Sequence, residues 1–390
     1  MLSRFASFLI FIGLVTIQAS SLGATTYRYA TVCRGDLYLI AADGKTKLIL
    51  AKQGKDYWEG PAVSPNSGTI VASLYPDAGY YAGKLYRVDP TTRKKHLIPG
   101  GTGFYIPECP VWLNDNVLLL DKVGKDGLDE GVYAFNIRTG MSKQVVPPLP
   151  DNEFFYDPLI VSPSGRLVLT TLGITGGGWI SVNDIIRGKS LWRTNPNEGM
   201  SGFGGVTWSA NNKWLYVAFY KDDEMAASSP GGVWRFNART GKQYQWKYAK
   251  QSIDGVYSAP KQNILVVEHG DLVDCLRMID GKRLCTLSAS KVGGVLGAFS
   301  LSNDRWILCG TELIIEMNSS GKCIKTQRVR GLVSSTVRFS PARNALMFGA
   351  VVKGGTEDDK TGVLDLKTGR VTRFAANDWR VEWLPRDVVR

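Results

Sequence analysis

Short apolar runs, each closed by a polar turn, repeat along this chain from about residue 26 to its end. "TIVASLY", "NVLLLDKV", "RLVLTTL", "WLYVAFY", "NILVVEH", "RWILCG" and "ALMFGAVV" are six to eight residues long and rich in Val, Ile, Leu and aromatics. Runs of that length and composition predict β-strands rather than helices. Each follows a turn: "AVSPNSG" at Pro65, "VWLNDN" at Asn114, "IVSPSG" at Pro163, "TWSANNK" at Ala210, "YSAPKQN" at Pro260, "SLSNDR" at Asn303, "RFSPARN" at Pro341 and "EWLPRD" at Pro385. Successive intervals are 49, 49, 47, 50, 43, 38 and 44 residues. No amphipathic helix is predicted after residue 24.

A period of roughly 40 to 50 residues with several strands in each unit is that of propeller blades. Within a unit, a first strand runs into the Ser-Pro or Asn turn and a second leaves it. A loop of variable length leads to a third strand ("GKLYRVD", "GVYAFNI", "GVWRFNA"), and a tight "RTGK" or "DGKR" turn leads to a fourth. The first unit has only three strands, "YRYATVC", "GDLYLIA" and "TKLILA". The C-terminal "RVEWLP" supplies its missing innermost strand, which closes the ring and leaves no open sheet edge. The expectation is an all-β chain, an eight-bladed β-propeller forming one domain over residues 25–390, with seven blades if the short unit around Asn303 is irregular.

"VSPNSGTIVASLY…GKLYRVDPTTRK" and "VSPSGRLVLTTL" resemble the Ser-Pro-Asp-Gly repeats of the TolB-type and WD-repeat-like propellers, although the Trp-Asp dipeptide of true WD repeats is absent. That resemblance spans nearly the whole chain after residue 24. Its motif is a structural turn, so it implies a fold and no particular activity.

Charge then separates by face. In such a blade the turns between the first and second strands, and between the third and fourth, share one face of the disc. The third-to-fourth turns hold cations, among them Lys45, Arg93, Arg138, Arg187, Arg239, Lys282, Lys322 and Lys367. The second-to-third loops, on the opposite face, hold Asp126, Asp129, Glu130, Asp222, Asp223, Glu224, Glu268, Asp271, Glu357 and Asp358. The net charge of +12 therefore describes a basic face and an acidic one. Cations at hairpin tips keep sheet edges soluble. They also offer a partner surface whose affinity would fall with salt. No aromatic-basic alternation of the kind that binds single-stranded nucleic acid accompanies them, so no nucleic acid is expected.

Counting six residues back from each turn gives Glu59, Glu108, Asp157, Gly204, Asp254, Gly297, Ser335 and Trp379. Four of these eight are carboxylates at one equivalent place, where the channel opens on the acidic face, and aromatics gather beside them. Converging carboxylates call for a cation, and oxygen ligands from several blades suit calcium. Glu59, Glu108, Asp157 and Asp254 are the metal candidates, with Ca2+ as the possible cofactor. The bland alternative has each acid capping backbone N–H groups or bridging blades. Trp58, Tyr105, Tyr156, Phe203, His269 and Trp379 are the ligand-binding candidates, because aromatic rings stack on sugars or pack apolar ligand groups. "WEGPAV" and "ECPVW" are similar to the Glu-Gly-Pro-Val-Trp segment of the calcium-dependent gluconolactonase propellers. That similarity implies Glu59, or Glu108, as a metal ligand. Those enzymes have six blades, and their asparagine ligands have no counterpart here.

Catalytic residues are sparse. The chain has two histidines: His96, on a fourth strand, and His269, in "EHGD" on the acidic side beside Glu268 and Asp271. No GxSxG occurs. Six cysteines allow fifteen pairings; Cys275 and Cys285, flanking "MIDGK", form the best local pair, with free thiols as the alternative. Residues 1–24, "MLSRFASFLIFIGLVTIQASSLGA", have one cation, an apolar run and small residues, the layout of a signal peptide. The expectation is a monomeric, extracytoplasmic binding or scaffold module for a protein, peptide or glycan, with a calcium-dependent hydrolase as the enzyme alternative.

Overall fold

The computed structural model describes residues 25–76, 83–106, 110–124, 129–148, 156–174, 177–194, 203–220, 231–329, 337–340, 344–350, 360–375 and 381–389. The signal peptide expected over 1–24 lies outside them. The chain folds into eight sheets of antiparallel strands, seven of four strands and one of five. The unit around Asn303 is a regular blade, with strands Val295–Ser300, Arg305–Gly310, Leu313–Asn318 and Cys323–Arg328, so the count is eight.

Closure occurs in blade 1. The last strand, Val381–Val389, pairs antiparallel with the first, Thr26–Cys33, placing Thr26 opposite Val389 and Thr31 opposite Val381. Asp36–Ala41 and Lys47–Ala51 complete the sheet. Blades 2 and 3 cover residues 56–102 and 104–146. The five-stranded sheet is blade 3, whose innermost edge is made of two pieces, Phe104–Tyr105 and Val111–Asn114, both pairing with Val117–Val123. Blades 4 and 5 cover 156–193 and 203–247, blades 6 and 7 cover 255–288 and 295–328, and blade 8 covers 337–375.

The second strands explain why the sheets stack. Ile264–His269 and Trp214–Phe219 are buried along nearly their whole length, so side chains on both faces meet a neighbouring blade. Successive clusters join blade to blade. Trp208, Leu215, Val217 and Phe236 of blade 5 pack on Leu169 and Val182 of blade 4, and Val266 and Val273 of blade 6 pack on Trp306 and Leu308 of blade 7. A side chain buried this completely contributes roughly 1.5–3 kcal/mol. The one α-helix among the described residues, Ala289–Val292, is a single turn ended by Gly293 at φ +81°. A side chain there would be strained and would crowd Thr311 Oγ1 at 2.5 Å.

The Ser-Pro and Asn turns link blades as well as strands. Asp115 of blade 3 accepts from Ser64 Oγ (2.7 Å) and from the Asn66 backbone N–H (2.9 Å) of blade 2. These bonds hold its carboxyl below the ordinary carboxylate range. At the corresponding place one blade pair on, Asn212 Oδ1 accepts from the Ser164 N–H at 2.8 Å. The repeated polar turn is thus an inter-blade fastener, and its short Ser, Asn and Asp side chains suit that geometry.

Candidate functional site

Polar groups on the innermost strands tie neighbouring blades together. Thr207 and Ser258 hydroxyls meet at 2.6 Å between blades 5 and 6, and the Tyr257 hydroxyl donates to the Val295 carbonyl at 2.7 Å between blades 6 and 7. Between blades 8 and 1, Arg338 pairs with Glu382. Burial pushes the Glu382 carboxyl up, and the Arg338 guanidinium only partly opposes the rise.

The best-defined group of titratable side chains sits where blade 6 opens on the acidic face. Asp254 immediately precedes the innermost strand Gly255–Ala259, and its Oδ2 accepts from the Gly270 N–H at 2.9 Å. Glu268 lies on the second strand opposite Gly255 and accepts from the Val295 N–H of blade 7, 3.2 Å from each oxygen. Burial pushes the Glu268 carboxyl up, the Val295 N–H opposes that, and the Asp254 charge adds to the rise. Two phenols, Tyr220 and Tyr257, are also shifted up, mainly by burial and further by these two carboxylates. Tyr220 is 39% exposed, so the group opens to solvent.

Behind it is a second network. Asp274, fully buried on the third strand Leu272–Arg277, accepts from the hydroxyls of Tyr248 and Thr286. Arg283 Nη2 lies 3.2 Å from its Oδ2, and His269 Nε2 lies 3.1 Å from the same oxygen. Burial alone would raise the Asp274 carboxyl, but the hydrogen bonds and the Arg283 charge together lower it. Tyr248 reaches this position with φ at +57°, in the left-handed region that costs a large side chain energy, and its ring packs on His269 with centroids 4.5 Å apart.

Asp254 and His269, expected from the sequence, both lie in blade 6 but in different groups: Asp254 beside Glu268, and His269 on Asp274 and Tyr248. The other candidates fare differently. Trp58 is 2% exposed, packed in the core between blades 1 and 2, donates to the Lys52 carbonyl at 3.2 Å and lies under the Lys95 ammonium. Glu59 is half-buried on Asp56–Val63 opposite Ser73, and Tyr105 is half-buried in blade 3. Glu108 and Trp379 lie outside the described residues, as do the side chains of Tyr156, Asp157 and Phe203. Among the described residues no three His, Cys, Asp or Glu side chains gather as a metal site. His96 is exposed. Cys275 and Cys285 face each other in register on the outer strands of blade 6 as free thiols that share a hydrogen bond. Sequence reading did not single out Tyr220, Tyr248, Tyr257 or Asp274. A lone carboxylate inside the apolar run "LVDCLR" is the signal that marks Asp274.

No protein-family model matches the chain, and no curated protein sequence does. Among solved structures, it is similar to a chain described as the eukaryotic initiation factor, over 93% of this chain and 98% of that one, with TM-score 0.52 and 12% identity. It is also similar to the C-terminal WD40 domain of Sif2 over 82% and 85% of the two chains, with TM-score 0.50 and 12% identity. TolB from Acinetobacter baumannii matches over 67% of this chain and 62% of its own, with TM-score 0.34 and 18% identity. The eight sheets, with the likeness to the initiation-factor and Sif2 WD40 chains, make the fold an eight-bladed β-propeller. No helix among the described residues is long and apolar enough to cross a membrane.

Proposed function

We propose that this chain is an exported binding or scaffold module that holds a protein, peptide or glycan partner across the acidic face, at the channel mouth of blade 6. The observation that supports this reading is the convergence of Asp254 and Glu268 beside the phenols of Tyr220 and Tyr257. Two neighbouring carboxylates in a half-buried setting favour a cation between them. A Lys or Arg side chain from a partner would gain charge-assisted hydrogen bonds there, and the rings offer flat contact area. Loops at such a mouth can change without disturbing the sheets beneath.

Calorimetric titration of residues 25–390 with an Arg- and Lys-rich peptide, beside an uncharged peptide of equal length, tests this reading. Selective binding of the cationic peptide, weakened about tenfold or more by Asp254→Asn combined with Glu268→Gln, is the expected result. Affinity that ignores both substitutions would move the partner to another surface. Export rests on the N-terminal 24 residues; N-terminal sequencing of protein recovered outside the cytoplasm should start at Thr25 or a few residues earlier. The enzyme alternative is a calcium-dependent hydrolase or lactonase built on Glu59, Glu108, Asp157 and Asp254. Calcium heat that Glu59→Ala and Asp157→Ala both abolish would favour it and direct the work to ester and lactone turnover.

A further inference from the structure

On the opposite, basic face, a groove of about 520 Å³ runs between blades 4 and 5, within the size range of small-molecule sites. Four cations from four different turns reach it: Arg166 and Arg187 of blade 4, Lys213 and Arg239 of blade 5. All four are exposed at their turns. Among the described residues Arg166, Lys213 and Arg239 have no acidic partner, and Arg187 has only a loose contact with Asp184, at 3.8 Å.

The asparagine oxygens of the groove, and one oxygen of Asp184, are already engaged. Asp184 Oδ1 accepts from the Arg187 N–H at 2.9 Å. Asn211 Oδ1 accepts from the Ser209 hydroxyl and the Lys213 N–H, Asn212 Oδ1 from the Ser164 N–H, and Asn237 Oδ1 from the Arg239 and Thr240 N–H groups. These bonds fix the three amides so that their oxygens serve the turns and their Nδ2 donors remain. A cleft in which four cations and three amide donors face a single carboxylate, Asp184, is complementary to an acceptor-rich anion. The floor adds two leucines, Leu167 and Leu191, which give an apolar patch of the kind that the carbon face of a sugar ring covers.

We infer that this groove binds an acidic sugar, its carboxylate, sulfate or phosphate groups paired with Arg166, Arg187, Lys213 and Arg239 and its hydroxyls meeting the asparagine amides. This site is separate from the channel mouth and does not depend on the reading given for that face. Arginine suits the role because its planar fork meets an oxyanion with two parallel hydrogen bonds.

The test uses residues 25–390 and three probes at about 0.15 M ionic strength: a sulfated tetrasaccharide, an oligogalacturonate and a Glu-rich decapeptide. Binding of at least one acidic sugar is expected, weakened about tenfold or more by Arg166→Ala with Arg239→Ala. Lys322→Ala, on a turn of blade 7 on the same face, should leave that affinity unchanged, and all three proteins should melt alike. Preference between the two sugars identifies the anionic group. The inference is overturned if neither sugar binds, if the peptide alone binds, or if Lys322→Ala weakens binding as much as the double substitution.

Discussion

Asp274 and Glu268 are both enclosed carboxylates in blade 6, yet their surroundings give them opposite pH behaviour. Asp274 is held below the ordinary range, so its contribution to stability is present above the unfolded carboxyl value and is lost as pH falls through the folded one. Glu268 is held above its ordinary value, so its contribution is greatest in acid and is lost as pH rises through the raised value. Asp274→Asn should therefore destabilise by about 3 kcal/mol at neutral pH, because Arg283, Tyr248 and Thr286 lose their charged acceptor. The loss should shrink on acidification, as urea denaturation across pH 3 to 7 would show on the scale of carboxyl titration. Glu268→Gln should do the reverse, flattening the decline toward neutral pH while retaining an acceptor for the Val295 N–H. At this scale the sequence was only partly legible. Asp254 stands out because its place repeats from blade to blade, and His269 because the chain has two histidines, whereas Tyr248 lies 26 residues from Asp274 and meets it only through the strand register and a left-handed backbone. Trp58 looked like a ligand-facing aromatic, but its position in the strand turns it into the packing between two blades.

Strands and turns were far easier to read, because each blade repeats one alternation and one set of turn residues. The ring closure was legible for a simpler reason: a three-stranded first unit and a surplus final strand leave one consistent pairing. Blade 3 was less so. Its innermost edge is made of two separate pieces, Phe104–Tyr105 and Val111–Asn114, around the proline-bearing "IPECP", a break that no periodicity announces. Two predictions belong to these elements. Removing residues 381–390 should expose the edge of Thr26–Cys33 and abolish the cooperative melt, as calorimetry would show. In blade 6, Cys275 stands directly opposite Cys285, and opposed strand partners lie within the Cα separation that a disulfide spans. Exposure to an oxidised thiol couple should join them and remove two titratable thiols, and Cys285→Ser should prevent that loss. The closed loop is short, so the gain in stability should be about 2–3 kcal/mol.

Across the whole disc, composition gave only a net charge; the strand order gave its direction. The alternation of faces along each blade sends Lys and Arg turns to one side and the loops carrying Glu268 and Asp271 to the other. Partners of the two faces should consequently be distinguishable by titrating with salt and with charge-reversed competitors: a cationic peptide at one, an acidic sugar at the other, without mutual displacement. The pairing of residue 26 with residue 389 has a further consequence, one of time rather than shape. A chain made from its N-terminus produces seven blades while the first waits for its innermost strand, exposing both edges of an incomplete ring until residues 381–389 emerge. Contacts so distant in sequence form late and slowly. That interval is when neighbouring unfinished chains could exchange their last strands, and a helper protein that covers a single strand edge would have most effect then.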